Sequence, residues 1–131
     1  MVEDHREIHR ALVNADIFAY PSIWPENACL CLMESMSAAL PCVHSNYAAL
    51  FETAANWTMM YNLHEDLHRH AQVFFSVLES AILKVRNDDV RRHCRLQKSY
   101  ADTFYPWPTR ARQWEAWLNG IFAAREPKSP G

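Results

Sequence analysis

Two glutamates, Glu26 and Glu34, stand with seven residues between them in the stretch Ser22-Ile-Trp-Pro-Glu26-Asn-Ala-Cys-Leu-Cys-Leu-Met-Glu34. Proline on one side and a helical apolar pattern on the other set the first acid at the end of a loop. The second then falls about two turns into the following helix. A loop, a helix N-terminus and a carboxylate further along can together hold a phosphate-bearing ligand and its sugar hydroxyls. The plainer reading gives Glu26 to the helix dipole and leaves Glu34 as a solvated surface acid. At a rise of about 1.5 Å per residue, Glu34 lies roughly 10 Å along the helix from Asn27, a fitting separation between a pyrophosphate and a ribose. Its neighbours at three and four positions, Leu30, Cys31, Ser37 and Ala38, include three small side chains, so a ligand has room to approach.

The elements that must position these acids follow from periodicity. Residues 3–14 read as a helix, with Ile8, Ala11 and Leu12 on one side. Asp16–Tyr20 is a short, nearly continuous apolar run before Pro21, which suits a strand buried on both faces. Residues 28–39 form a helix whose core stripe is Cys29, Leu32, Met33, Met36 and Leu40. Pro41 stops it, and residues 42–45 give a second strand. A brief helix over 48–55, a strand over 57–61 and helices over 66–85, 88–105 and 109–124 complete the pattern. In the last helix, Trp114, Trp117, Leu118 and Ile121 share a helical spacing that predicts core packing, and Trp107 is read the same way. Residues 126–131 read as a frayed tail after a domain over 1–125. Strands alternating with helices at these intervals predict right-handed crossovers and a parallel sheet: an α/β, Rossmann-like half-domain of about three strands.

Composition narrows the function. The 131 residues are half hydrophobic and carry a net charge of −2, so the chain has material for one packed core and no basic surface for nucleic acid. Arg91, Arg92 and Arg95 share one predicted helix and read as a solvated face. No apolar run approaches the roughly 18 residues of a membrane span. The four cysteines lack paired spacing, which predicts reduced, mostly buried thiols in a cytoplasmic protein. Only two glycines occur, where average usage of about 7% would give nine, so a glycine-rich phosphate loop is not expected.

Other candidates read as incidental. His64-Glu-Asp-Leu-His68 fits the zinc-protease pattern H-E-x-x-H, with His70 nearby, but it falls where a helix begins rather than inside one. Metal binding is therefore not expected. His44 sits at a strand end, read as a polar terminus ahead of a phosphate contact, and Glu52 as a capping residue.

The segments Ala15-Asp-Ile-Phe-Ala-Tyr-Pro-Ser22, Pro25-Glu26, Glu34-Ser-Met-Ser-Ala-Ala-Leu-Pro-Cys-Val43 and Ala49-Leu-Phe-Glu52 resemble the C-terminal half of glycosyltransferase family 4 (group 1). Phe104-Tyr-Pro-Trp107 and Arg110-Ala-Arg-Gln-Trp114 are similar to that family's closing helices. The resemblance implies a GT-B fold of two Rossmann-like domains and retaining transfer of a sugar from a nucleotide-sugar donor, which is a substrate; no cofactor is implied. It also implies roles. Glu26 would stand beside the donor sugar, the backbone of Asn27, Ala28 and Cys29 would meet the diphosphate or sugar hydroxyls, and Glu34 would bind the ribose hydroxyls.

The match departs from the family in two ways. Asn27-Ala28-Cys29 and Ala39 stand where many members have glycines. The family's N-terminal domain, with its acceptor site and catalytic histidine, and the first strands of its C-terminal domain, with their phosphate-neutralising Arg and Lys, have no counterpart, so turnover is expected to need a further half. The strand over 16–20 would then be an open apolar edge, available to a second copy or a partner chain. The alternative expectation is a non-catalytic α/β remnant serving as an interaction module.

Overall fold

In the computed structural model, residues 5–124 are described; the expected tail over 126–131 lies outside them, as do residues 3 and 4 of the helix expected over 3–14. The elements run α1 (His5–Val13), β1 (Phe18–Tyr20), α2 (Leu30–Ser37), β2 (Cys42–Ser45), α3 (Leu50–Ala54), β3 (Met59–Tyr61), α4 (Leu67–Lys84), α5 (Asp88–Phe104) and α6 (Trp107–Ala123). The three strands form one parallel sheet in the order β1-β2-β3. Phe18 is registered with Cys42 and Val43 with Met59. The α/β half-domain expected from the sequence is the observed architecture.

Central strand β2 is buried throughout, and its alternation feeds two cores. Cys42 joins Cys29, Leu32, Met36, Leu40, Leu50, Ala54 and Ala101, which fill the layer between the sheet and α2, α3 and α5. Val43 faces the other way and packs with Tyr61 and Ala81 beneath Val73, Phe74, Val77 and Leu78 of α4. The sheet is thus covered on both faces, as parallel sheets require. Leu32 and Met36 are fully buried, each worth about 2–3 kcal/mol of burial. Met33, expected in the same stripe, is only half buried.

Helix ends are set by local chemistry. Asp66 caps α4 by accepting from the amides of His68 at 2.8 Å and Arg69 at 3.3 Å. Asn87 caps α5 through Asp89 at 2.7 Å, ahead of two aspartates that complement the helix dipole. Helix α2 closes in a Schellman motif: the Leu40 amide donates to Ser35 O and the Ala39 amide to Met36 O, both at 3.1 Å. That turn places Ala39 at φ 60°, a left-handed position normally held by glycine. Ala48, Ala55 and Asn56 also take positive φ. In a chain with two glycines, alanine and asparagine stand where the backbone needs left-handed residues.

Two expectations are corrected. The strands are shorter than expected: β1 starts at Phe18 and β3 at Met59, because only these residues pair across the parallel ladder. The tryptophans of the last helix are not core. No residue of α6 is buried, and Trp107, Trp114 and Trp117 are 80%, 61% and 57% exposed. Their spacing does make a stripe, with Trp114 and Trp117 in edge contact at 5.3 Å, but both rings stay more than half exposed. Periodicity reports a face, and only tertiary packing decides whether that face is covered.

Candidate functional site

Glu26 and Glu34 are held in different ways. Pro21 to Cys29 form an irregular connection from β1 to α2, and Cys29 takes extended angles, φ −94° and ψ 95°, so the helix begins at Leu30. Glu34 is therefore the fifth helical residue, about one turn in rather than two. The Tyr20 hydroxyl at the end of β1 donates to Glu26 Oε1 at 2.6 Å, which closes the loop on itself. This bond to the carboxylate, with some burial, raises the Tyr20 pKa. The Glu26 main chain is pinned as well: its amide donates to Trp24 O at 3.0 Å and its carbonyl accepts from Ala49 at 3.1 Å.

Glu34 opens onto a cleft of about 400 Å³. One wall is a single face of α2, with Leu30, Met33, Glu34 and Ser37 at helical spacing and Ala28 just before the helix. The other wall is the end of α5 and the start of α6: Ala101, Asp102, Tyr105, Pro106, Trp107 and Arg110. The size falls in the range of about 300–1,000 Å³ usual for small-molecule sites, and the mostly apolar lining with a few polar groups is the usual composition. Among the described residues the Glu34 carboxylate has no hydrogen-bond or ion-pair partner, though the residue is half buried.

The opposite wall is more tightly braced. Lys98 Nζ lies 2.8 Å from Asp102 Oδ2 and also donates to Ser37 O at 2.6 Å, tying α5 to α2. Ser37 Oγ donates to Asp102 Oδ1 across the same junction. Burial works to raise the Asp102 carboxyl, but the bonds from Lys98 and Ser37 outweigh it and hold the group below its ordinary value. Tyr105 Oη donates to Thr53 O of α3 at 2.6 Å, and the Arg110 guanidinium carbon lies 5.8 Å from the Tyr105 ring centre.

Of the residues named from the sequence, Ala28 and Glu34 meet in this cleft. Glu26 and Asn27 do not line it, and Cys29 is buried in the core with its thiol pushed up by that burial. Asp102, Tyr105, Trp107 and Arg110 are not among the site residues that the sequence points to. They lie more than 60 positions beyond Glu34, and no local pattern marks them as its neighbours.

His44 is fully buried in β2. Its Nδ1 lies 2.8 Å from Ser45 O, a carbonyl that can only accept, so Nδ1 carries the proton and Nε2 accepts from the Thr58 hydroxyl at 2.7 Å. The imidazole is satisfied internally, and burial lowers its pKa. It does not meet solvent as a phosphate contact would.

The H-E-x-x-H residues do not assemble. His64 precedes α4, exposed His68 accepts from Gln72 at 3.2 Å, and buried His70 lies 3.3 Å from the Tyr61 hydroxyl. Among the described residues no three His, Cys, Asp or Glu groups could hold a metal ion. Cys29, Cys42 and Cys94 are buried and Cys31 exposed, all four as free thiols. No helix among the described residues is long and apolar enough to cross a membrane.

A family model described as "Glycosyl transferases group 1" matches residues 2–69, a little over half of the 131-residue chain. The match contains both glutamates and the α2 wall of the cleft, and it ends before the α5–α6 wall. No curated protein and no solved structure matches the chain.

Proposed function

The chain belongs to the group 1 glycosyl transferases, and from that premise we propose that it is a donor-binding part of a retaining enzyme using a nucleotide-sugar. The observation that carries this reading is Glu34: a half-buried carboxylate without a protein partner among the described residues, facing a ligand-sized cleft one turn from a helix N-terminus. A carboxylate can accept from both hydroxyls of a ribose, and the amides of the α2 first turn favour an adjoining phosphate. The α2 N-cap makes no side-chain hydrogen bond to those amides.

Glu26 is proposed as the carboxylate beside the donor sugar, oriented by the Tyr20 hydroxyl, with the backbone of Asn27, Ala28 and Cys29 toward the diphosphate or sugar hydroxyls. During transfer the bond from the sugar's anomeric carbon to the phosphate oxygen breaks. The diphosphate leaves with the electron pair, and the acceptor oxygen bonds that carbon with retained configuration as its hydroxyl proton passes to the departing phosphate oxygen. The outer edge of β1, unpaired among the described residues, is proposed as a surface for a partner chain or a second copy. The free thiols favour a reducing, cytoplasmic setting.

A second reading, a non-catalytic interaction module, is favoured by the uncovered tryptophan stripe of α6. Calorimetric titration with UDP, GDP and ADP separates the two. Binding by one of them that disappears in Glu34→Ala supports the donor site. Absence of binding by all three at millimolar concentration removes it and leaves the interaction module.

A further inference from the structure

A donor diphosphate, esterified at both ends, brings about two negative charges, and a helix N-terminus offers only about half a positive charge. The cleft itself holds a stronger counter-charge. Three of its lining side chains carry formal charge: Glu34, Asp102 and Arg110. Asp102 is matched by Lys98 at 2.8 Å. Glu34 and Arg110 remain, on opposite walls, and neither forms an ion pair among the described residues.

Arg110 is also preorganised. Its guanidinium carbon lies 5.8 Å from the Tyr105 ring centre, and that ring is anchored by its own bond to Thr53 O. Nη1 donates to Gln113 Oε1 at 2.8 Å, one turn along α6. A half-buried cation against an aromatic ring, with no carboxylate beside it, suits a planar fork of donors awaiting phosphate oxygens. The uncovered carboxylate across the cleft suits hydroxyls. One ligand with an anionic group and a vicinal diol would satisfy both.

We infer that Arg110 is the phosphate-positioning residue of this site, supplying from α6 the positive charge that the donor's diphosphate needs while Glu34 takes the ribose. The inference rests on the nucleotide-binding reading above. It goes beyond that reading by assigning the counter-charge to α6, outside the segment that matches the family.

The test is calorimetry on the full chain with UDP, GDP and ADP and their parent nucleosides, at low and high salt, for wild type, Arg110→Gln, Arg110→Lys and Glu34→Gln. Far-UV circular dichroism on each variant checks that the helices persist. The expected result is that Arg110→Gln weakens the diphosphate by roughly 10- to 100-fold, the range of a charge-assisted hydrogen bond. The nucleoside is unaffected and the salt dependence flattens, while Arg110→Lys restores part of the loss. Glu34→Gln weakens diphosphate and nucleoside alike. If Arg110→Gln leaves diphosphate affinity and its salt dependence unchanged while Glu34→Gln weakens binding, the role of Arg110 is overturned and the donor site stands. If wild type binds none of the probes at millimolar concentration, the donor site and the role of Arg110 fall together.

Discussion

Ala39→Gly should stabilise this protein, against the usual cost of placing glycine beside a helix. Ala39 is the left-handed residue of the Schellman motif that ends α2, with φ 60°. An L-residue there costs roughly 1–2 kcal/mol from the contact of its Cβ with the following carbonyl. Glycine removes that cost but adds about 0.5–1 kcal/mol of unfolded-chain entropy. It also gives up part of a half-buried methyl, about 0.4 kcal/mol at roughly 0.8 kcal/mol per fully buried carbon. At the midpoints of these ranges the net gain is about 0.4 kcal/mol. Ala38→Gly supplies the control. Ala38 is the α2 C-cap at φ −79°, so the same substitution one position earlier relieves nothing and costs about 0.5–1 kcal/mol. The two variants should therefore differ by about 1–1.5 kcal/mol, or roughly 5 °C in Tm for a chain of this size. Thermal unfolding followed at 222 nm, with urea titration to check the slope, measures the difference. Equal destabilisation by both substitutions would refute the strain assigned to Ala39.

Three further outcomes follow from the site and the core. Tyr20→Phe removes the 2.6 Å bond to Glu26 and should cost about 1–2 kcal/mol, the range for a partly exposed bond to a carboxylate; an unchanged urea midpoint would show that the bond does not hold the loop. Burial lowers the His44 pKa, so the unfolded chain takes up this proton first as pH falls. The His44 share of stability should be fully present above the ordinary histidine value of about 6.5 and be lost as pH falls from there through the folded pKa; His44→Asn should flatten that part of the Tm profile, and an identical slope in the variant would contradict it. Leu32→Ala opens a void in the fully buried face of α2 and should cost about 2–5 kcal/mol by chemical denaturation, and a loss under 1 kcal/mol would mean that the core collapses around the gap.

The elements were legible because their signals are local. Pro21 and Pro41 mark the ends of apolar runs, and the spacing of Leu32, Met36 and Leu40 identifies the buried face of α2. The site was legible by half. The α2 face that carries Glu34 follows from helical periodicity, and Leu30 and Ser37 flank it as that spacing requires. Its opposite wall is made by the packing of α5 on α2 and the turn into α6, contacts between positions more than 60 apart that no periodicity encodes. Periodicity starts α2 too early because the apolar stripe includes Cys29, yet Cys29 packs into the core from extended backbone. Trp114 and Trp117 share a core-like spacing yet are exposed, because an amphipathic pattern records an apolar face without naming its cover. His44 reads as a polar strand end, and the Ser45 carbonyl and Thr58 hydroxyl enclose it fully, a burial that its position at the strand end does not reveal.

Ligand binding is placed in the gap between α2 and the α5–α6 junction. Two-dimensional ¹H–¹⁵N NMR of the labelled chain, titrated with UDP, GDP and ADP, tests it directly. The predicted result is saturable shifts concentrated at Ala28–Ser37 and Ala101–Arg110 for at least one nucleotide, vanishing in Glu34→Ala. Saturable shifts confined to other surfaces, or unaltered by that substitution, would contradict it.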